Sequence, residues 1–335
     1  GMKILPSLNG IFSFAIWDRH QKMVTLVRDP FGVKPLYYYF DDHKLLFGSE
    51  LKSINAFPID TTIDHKALLD YLRFLYAPFE RTPYQKVRKL RPGYLLEIPV
   101  EAFREFTTEK YYEIPFNGQY EIKSEKEAVD LLDDRLQNAV KRQLISDVPI
   151  GFFLSGGLDS SAVLALASKQ NPDLQLDAFT IDTTAYGAYD GFSDDLQYAR
   201  KVAAQYNANL HVMDATTDIL RHFDQMIWHL DEPQADPAPL HVYNISQKAA
   251  QMGLKVLLGG AAGDDVFSGY RRHQAVKLER WFSVMPGAFK NLLHKAGGIL
   301  PRQNATLRRF TKVTDQLNLN TAERLFNYFT WIPND

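Results

Sequence analysis

Val148-Pro149-Ile150-Gly151-Phe152-Phe153-Leu154-Ser155-Gly156-Gly157-Leu158-Asp159-Ser160-Ser161 decides the fold of this chain. An apolar strand feeds a turn of small residues, and the turn opens directly into an apolar helix predicted over Ala162 to Ser168. Such a corner is built as an anion cradle. Gly156 and Gly157 let backbone approach a polyphosphate, while Ser155, Ser160, Ser161 and the first free N–H groups of the helix supply donors. No lysine follows the glycines, which argues against the G-x-x-x-x-G-K-[ST] loop and leaves Asp159 as the charged group, suited to holding Mg²⁺ on a phosphate. An ordinary strand-turn-helix corner is the competing reading. It is disfavoured because strand, turn and helix signals agree.

Downstream, strands and helices alternate: Asp177 to Asp182 reads as a strand, Asp194 to Tyr206 as a helix, and Asn209 to Met213 as a strand. Helix His241 to Gln251 and strand Lys255 to Leu258 follow, the order expected of a parallel sheet with crossover helices. A second glycine-rich stretch, Gly259-Gly260-Ala261-Ala262-Gly263-Asp264-Asp265-Val266-Phe267-Ser268-Gly269-Tyr270, comes straight after that last strand. Alone, it reads as an acidic surface turn or as a carboxylate pair for Mg²⁺-pyrophosphate. Paired with the cradle at the carboxyl ends of parallel strands, it reads better as a ligand loop.

Upstream, Phe12, Phe14 and Ile16 alternate, and further short strands are predicted over Met23 to Val27, Leu36 to Phe40 and Leu45 to Phe47. Turns fall at Asp29-Pro30-Phe31-Gly32 and Asp41-Asp42, Ile63 to Leu75 reads as a short helix, and Tyr37, Tyr38 and Tyr39 read as strand packing. A polar stretch from Glu113 to Lys123 marks a linker. Ser124 and Glu127 then form an expected capping box ahead of a helix whose Val129, Leu132, Leu136, Val140 and Leu144 share a face. After Tyr270 the pattern is helical and locally basic around Arg308, Arg309, Phe310 and Lys312, read as a solvated face ahead of a membrane or partner face.

A formal charge of −2 over 335 residues gives no electrostatic footprint for nucleic acid. With no cysteine the chain has no disulfide, no thiolate metal site and no thiol nucleophile, which fits a cytoplasmic setting. His222 and His229 lack metal-ligand spacing and belong to helix surface or packing. The apolar start is broken by Pro6, Ser7, Asn9 and Gly10, so it is not read as a secretory leader, and no run reaches the ~20 apolar residues of a membrane span.

The spelling Ser155 to Ser161 resembles the pyrophosphate loop of ATP pyrophosphatases, and a longer series of motifs resembles the glutamine-dependent asparagine synthetase family. Its residues are Leu8-Asn9-Gly10-Ile11-Phe12-Ser13-Phe14-Ala15-Ile16-Trp17-Asp18, Arg28-Asp29-Pro30-Phe31-Gly32-Val33-Lys34-Pro35-Leu36-Tyr37-Tyr38 and Phe47-Gly48-Ser49-Glu50-Leu51-Lys52. Val87-Arg88-Lys89-Leu90-Arg91-Pro92-Gly93, the cradle, Asp231-Glu232-Pro233 and the Asp264-Asp265 loop continue it in order. The resemblance implies a mixed α/β plus α+β protein. A partial, β-rich N-terminal-nucleophile glutaminase domain would occupy 1–117, and a doubly wound parallel-sheet ATP-pyrophosphatase synthetase domain 118–335.

Carried over, Ser155, Gly156, Gly157, Asp159, Ser160 and Ser161 would bind the phosphates of ATP, with Mg²⁺ on Asp159 and Asp264. Phe153, Ile181, Gly259 and Gly260 would surround adenine and ribose. A small-molecule carboxylate, aspartate or a related acid, would attack the α-phosphorus, and the acyl-adenylate would be amidated by ammonia derived from glutamine, as in asparagine biosynthesis. A homodimer is compatible with this reading; nucleic acid and membrane are not expected partners.

Three departures accompany the resemblance. The family's glutaminase starts with a catalytic cysteine, so this sequence is not expected to hydrolyse glutamine. The family's Glu before the acidic pair is Ala261, so a base for ammonia would have to come from Glu232, Asp236 or Asp265, or the acceptor would differ from aspartate. The catalytic lysine and Glu-Ala-Arg-Val-Pro-Phe motif of the family's later helices have no counterpart, so a chain cut at both ends is expected. Tyr270-Arg271-Arg272-His273 after the acidic loop resembles amidotransferases acting on other carboxylates, sugar uronates included. Cyclising amide synthetases and an inactive ATP-binding scaffold are the remaining readings.

Overall fold

The computed structural model describes residues 2–115, 121–182, 195–215, 219–233, 238–299, 307, 311 and 313–331. Contacts divide the chain into two compact units: one of residues 1–119, 224–236 and 331–335, the other of 120–223 and 237–330.

The first unit stacks two antiparallel sheets. Strands β1 (Ser13–Asp18), β2 (Met23–Arg28), β6 (Tyr94–Pro99) and β7 (Thr107–Lys110) form one sheet in that order. Strands β4 (Leu45–Gly48), β3 (Tyr37–Phe40) and β5 (Arg88–Lys89) form the other. Side chains alternate across a strand, so neighbouring residues of β2 and β6 enter different cores. Leu26, Leu96 and Ile98 meet Leu36 and Tyr38 between the sheets, while Val27 and Leu95 meet Leu5 on the opposite face. Strand β3 divides likewise, with Tyr37 and Tyr39 packing on Leu51 and Ile54 of helix α1 (Leu51–Asn55). All three tyrosines are buried, as expected of strand packing. Helix α2 is His65–Phe74, capped by the Asp64 side chain.

The turn Arg28 to Lys34 has a structural cause for its composition. Asp29 is 1% exposed, and its carboxylate accepts from the N–H groups of Phe31, Val33 and Lys34 at 3.1, 3.1 and 2.9 Å. Arg28 reverses the pattern, donating to the carbonyls of Leu90, Gly32 and Lys34. Asp29→Ala removes the buried acceptor shared by three backbone donors and is expected to destabilise the chain by on the order of 2 kcal/mol, read as a lower urea midpoint. An unchanged midpoint would count against this account.

The second unit is built on a parallel sheet, in the order β10 (Asn209–Asp214), β9 (Asp177–Asp182), β8 (Ile150–Phe153), β11 (Val256–Leu258). Helices cover both faces. Phe152 and Ala178 pack with Val140 of α3 (Glu125–Gln143), Leu164 and Ala167 of α4 (Leu158–Gln170), and Ala199 and Ala203 of α5 (Asp195–Gln205). Phe179 points the other way, onto Ile245 and Ala249 of α7 (Ala238–Gln251). The remaining helices among the described residues are α6 (Ile219–Leu230), whose residues from 224 onward belong to the first unit, α8 (Gly263–Phe267), α9 (Arg271–Val284), α10 (Gly287–Ile299) and α11 (Thr321–Tyr328). Among the described residues no helix is long and apolar enough to cross a membrane.

Three local expectations are corrected. Ser124 does cap α3, accepting from the Glu127 N–H, but the Glu127 carboxylate reaches the N–H of Lys123 rather than that of the cap residue. The apolar face of α3 is buried only toward its C-terminal end: Val140 is 6% exposed, whereas Val129 and Leu132 are 57% and 41% exposed. Helix α4 is longer than predicted, because Leu158, Asp159, Ser160 and Ser161 already form its first turn. Asp236 and the basic stretch Arg308, Arg309, Phe310 and Lys312 lie outside the described residues.

Candidate nucleotide site and the acidic loop

Sheet order places both glycine-rich stretches side by side. From β8 the chain winds to β9 and β10 on one side, then returns to add β11 on the other side of β8, with Val256, Leu257 and Leu258 in parallel register with Ile150, Gly151 and Phe152. That reversal is a topological switch point, where the loops leaving adjacent strands diverge and open a crevice at their carboxyl ends. The cradle leaves β8 and the acidic loop leaves β11.

Hydroxyl bonds fix the cradle internally. Ser160 Oγ accepts from the Ser155 N–H at 3.2 Å and lies 3.0 Å from Ser155 Oγ, while Ser155 Oγ accepts from the Gly157 N–H at 3.3 Å. Ser161 Oγ donates to the Gly157 carbonyl at 2.7 Å. Gly156 sits at φ +88°, in the left-handed region, and a Cβ there would collide with the Asp195 carbonyl of α5. Asp159 stands in the first turn of α4, close to the acidic loop. A Cβ on Gly260 would lie 2.6 Å from Asp159 Cβ and the Ser160 nitrogen, and one on Gly263 would overlap the Asp159 carboxylate. The loop therefore approaches the cradle as closely as backbone allows.

The acidic loop turns through Ala262 at φ 70° into α8, which carries Asp264 and Asp265 in its first turn. Ala261 is exposed, as is Gly259, against whose position the Phe153 ring lies: a Cβ on Gly259 would be 3.4 Å from Phe153 Cδ2. Phe153 and Ile181 both flank the core beneath α7, partly buried. Ser155, Gly156, Gly157, Asp159, Ser160, Ser161, Phe153, Ile181, Gly259, Gly260 and Asp264 thus all fall at one end of the parallel strands or on the loops leaving it. Burial, followed by the charges of Asp265 and Asp264, raises the pKa of the Tyr270 phenol; Asp159 adds to the same field.

The donor set suits a hard cation only in company. Among the described residues no group of three or more His, Asp or Glu could hold a metal ion unaided. Mg²⁺ commonly takes one or two carboxylates and completes its shell with phosphate and water, which Asp159 and Asp264 beside a phosphate cradle would match.

Glu232 is tied into the first unit. Its carboxylate accepts from Tyr37 Oη at 2.8 Å, from Tyr71 Oη, and from Lys89 Nζ at 3.2 Å, all within the first unit. Asp231 accepts from the N–H groups of Leu51 and Lys52 at 2.9 and 3.3 Å, capping α1, and pairs with Lys52 Nζ at 2.7 Å. Composition does not reveal this network, because its members lie far apart in the sequence.

Burial, reinforced by the Glu232 charge, holds the Tyr37 and Tyr71 phenols far above their ordinary value. Their folded pKa values are raised, so the stabilisation is complete below the unfolded tyrosine pKa of about 10 and is lost as pH rises above it. Alkaline titration followed by tyrosinate absorbance should show these two groups ionising only with unfolding, and Tyr37→Phe should move the alkaline transition. Early, reversible ionisation of both would contradict the burial.

A β-rich sandwich joined to a doubly wound sheet with paired loops at its switch point is the plan of a glutaminase-type domain with an ATP-pyrophosphatase-type domain. Residues 131–333, more than half of the chain, match the asparagine synthase family, and residues 1–112 match the glutamine amidotransferase domain. The chain belongs to the asparagine synthase family.

Asparagine synthetase [glutamine-hydrolyzing] 1 of Bacillus subtilis (strain 168) is 30% identical over 296 residues, covering 88% of this chain and 45% of the relative. Putative asparagine synthetase [glutamine-hydrolyzing] 2 of Methanocaldococcus jannaschii is 31% identical over 277 residues, covering 82% and 52%. Amidase chyE of Penicillium rubens is 28% identical over 287 residues, covering 82% and 42%. The chain spans about half the length of the curated relatives it matches.

Proposed function

We propose that the protein to which this chain belongs is an ATP-dependent amidoligase that activates a carboxylic acid as its acyl-adenylate and amidates it. The adjacency of the β8 cradle and the β11 acidic loop at the switch point carries this reading. The division into a glutaminase-like part over 1–117 and an ATP-pyrophosphatase part over 118–335 belongs to the same reading, as does a cytoplasmic location.

In this scheme Ser155, Gly157 and the first turn of α4 hold the phosphate tail, and Phe153, Ile181, Gly259 and Gly260 form the wall for adenine and ribose. Asp159 and Asp264 would hold Mg²⁺, which when bound offsets charge on the pyrophosphate. The acceptor carboxylate oxygen bonds to the α-phosphorus as the bond to the bridging oxygen of pyrophosphate breaks. Fixed donors in the cradle need little reorganisation during that exchange. Ammonia then displaces AMP from the acyl carbon, releasing one proton, for which Asp265 is the nearby carboxylate on the acidic loop.

Ala261, where the family resemblance places a glutamate, favours a second choice of acceptor: an acid other than aspartate, such as a sugar uronate. One relative carries the name amidase rather than asparagine synthetase. Exchange of labelled pyrophosphate into ATP, driven in turn by aspartate and by uronates, tests both readings. Exchange with one acid is expected and identifies the acceptor. ATP binding with no exchange by any acid would leave a nucleotide-binding scaffold and overturn the amidoligase reading.

A further inference from the structure

We propose that Arg272 is the cationic contact of this site for the phosphate tail of the nucleotide, an inference that rests on the ATP-binding reading above. The second unit holds this guanidinium in an unusual way. Its carbon lies 4.2 Å from the Tyr270 ring centroid and 5.3 Å from that of Phe329, so aromatic rings at two separate points of the chain embrace it. Its single ion pair among the described residues is with Asp265 at 3.5 Å, and the Asp265 side chain is 56% exposed. Nε is buried with no hydrogen-bond partner among the described residues. The charge is therefore positioned more by stacking than by neutralisation, which leaves donors of the fork to spare.

Its position gives those donors a use. Neither glycine-rich stretch contains a lysine or arginine, yet Asp159, Asp264 and Asp265 gather three carboxylates where the two loops meet. A polyanion entering that region meets repulsion unless positive charge accompanies it. Arg272 follows the acidic loop in the first turn of α9, touches Asp265, and stacks on the Tyr270 ring, whose hydroxyl feels all three carboxylates. A planar guanidinium presents two parallel donors to phosphate oxygens, a fit that lysine does not reproduce. Asp265 then serves as the resting partner that holds the fork in place, and the phosphate tail competes for it.

The test compares Mg²⁺-ATP with AMP, which shares the adenosine and α-phosphate but lacks the tail. Affinities of both are measured by calorimetry for the full chain, Arg272→Gln and Arg272→Lys. The expected result is a tenfold or greater loss of ATP affinity in R272Q with AMP unaffected, and an intermediate loss in R272K. Equal weakening of ATP and AMP would make Arg272 a support of the loop, and unchanged ATP affinity would remove it from the site; either overturns the proposal. A weaker apparent affinity for the acceptor acid alone would reassign Arg272 to the acceptor and also overturn it. Wild-type chain binding neither nucleotide would instead sink the underlying ATP reading, an outcome distinct from failure of R272Q to differ from wild type.

Discussion

Asp159→Asn is expected to lower acid-dependent exchange of pyrophosphate into ATP by on the order of 10²–10³-fold, with the thermal melting of the chain nearly unchanged. The substitution keeps the shape of a side chain that lies against Gly260 and beside Gly263, so the close approach of the loops survives. Only the negative charge goes. No hydrogen bond in the fold is tied to the Asp159 carboxylate among the described residues. A group left out of the internal bonding at a strand-helix corner is available to a ligand. If D159N exchanges pyrophosphate as fast as wild type, Asp159 has no part in holding the cation.

Glu232→Leu should cost about 3–5 kcal/mol of stability, because it removes the common partner of a lysine and two buried phenols and leaves them uncompensated. Lys89 keeps a bond to the Ala77 carbonyl at 2.9 Å, but Tyr37 and Tyr71 lose their acceptor. Glu232→Gln retains an acceptor oxygen and should cost less. Urea denaturation orders the three proteins, wild type above E232Q above E232L. Equal midpoints for E232L and wild type would show that the carboxylate is not a structural anchor.

The same residue shows how far sequence reading reached. Asp231-Glu232-Pro233 was legible as a motif, and its acidity made Glu232 eligible for proton transfer in place of the absent glutamate. The structure gives it instead a set of partners, Tyr37, Tyr71 and Lys89, that lie more than a hundred residues earlier. Nothing local in the chain encodes that convergence. Arg272 is parallel, since its stacking partner Phe329 is distant in sequence and carries no motif of its own. The apolar stripe of α3 misled in the other direction, because periodicity states which residues share a face but not how much of that face finds a neighbour.

By itself the sequence determined the local devices: the apolar strand, the glycine turn whose Gly156 takes a positive φ, the seryl donors and the helix that follows. These depend on interactions spanning a few residues, and backbone sterics and hydrogen bonding act at that range. Tertiary structure alone decided that β11 pairs with β8, that the two glycine-rich loops therefore leave neighbouring strands, and that Asp159 meets Gly260 and Gly263. Strand order is set by which apolar faces bury together across the whole chain, a long-range balance of packing that no single segment carries.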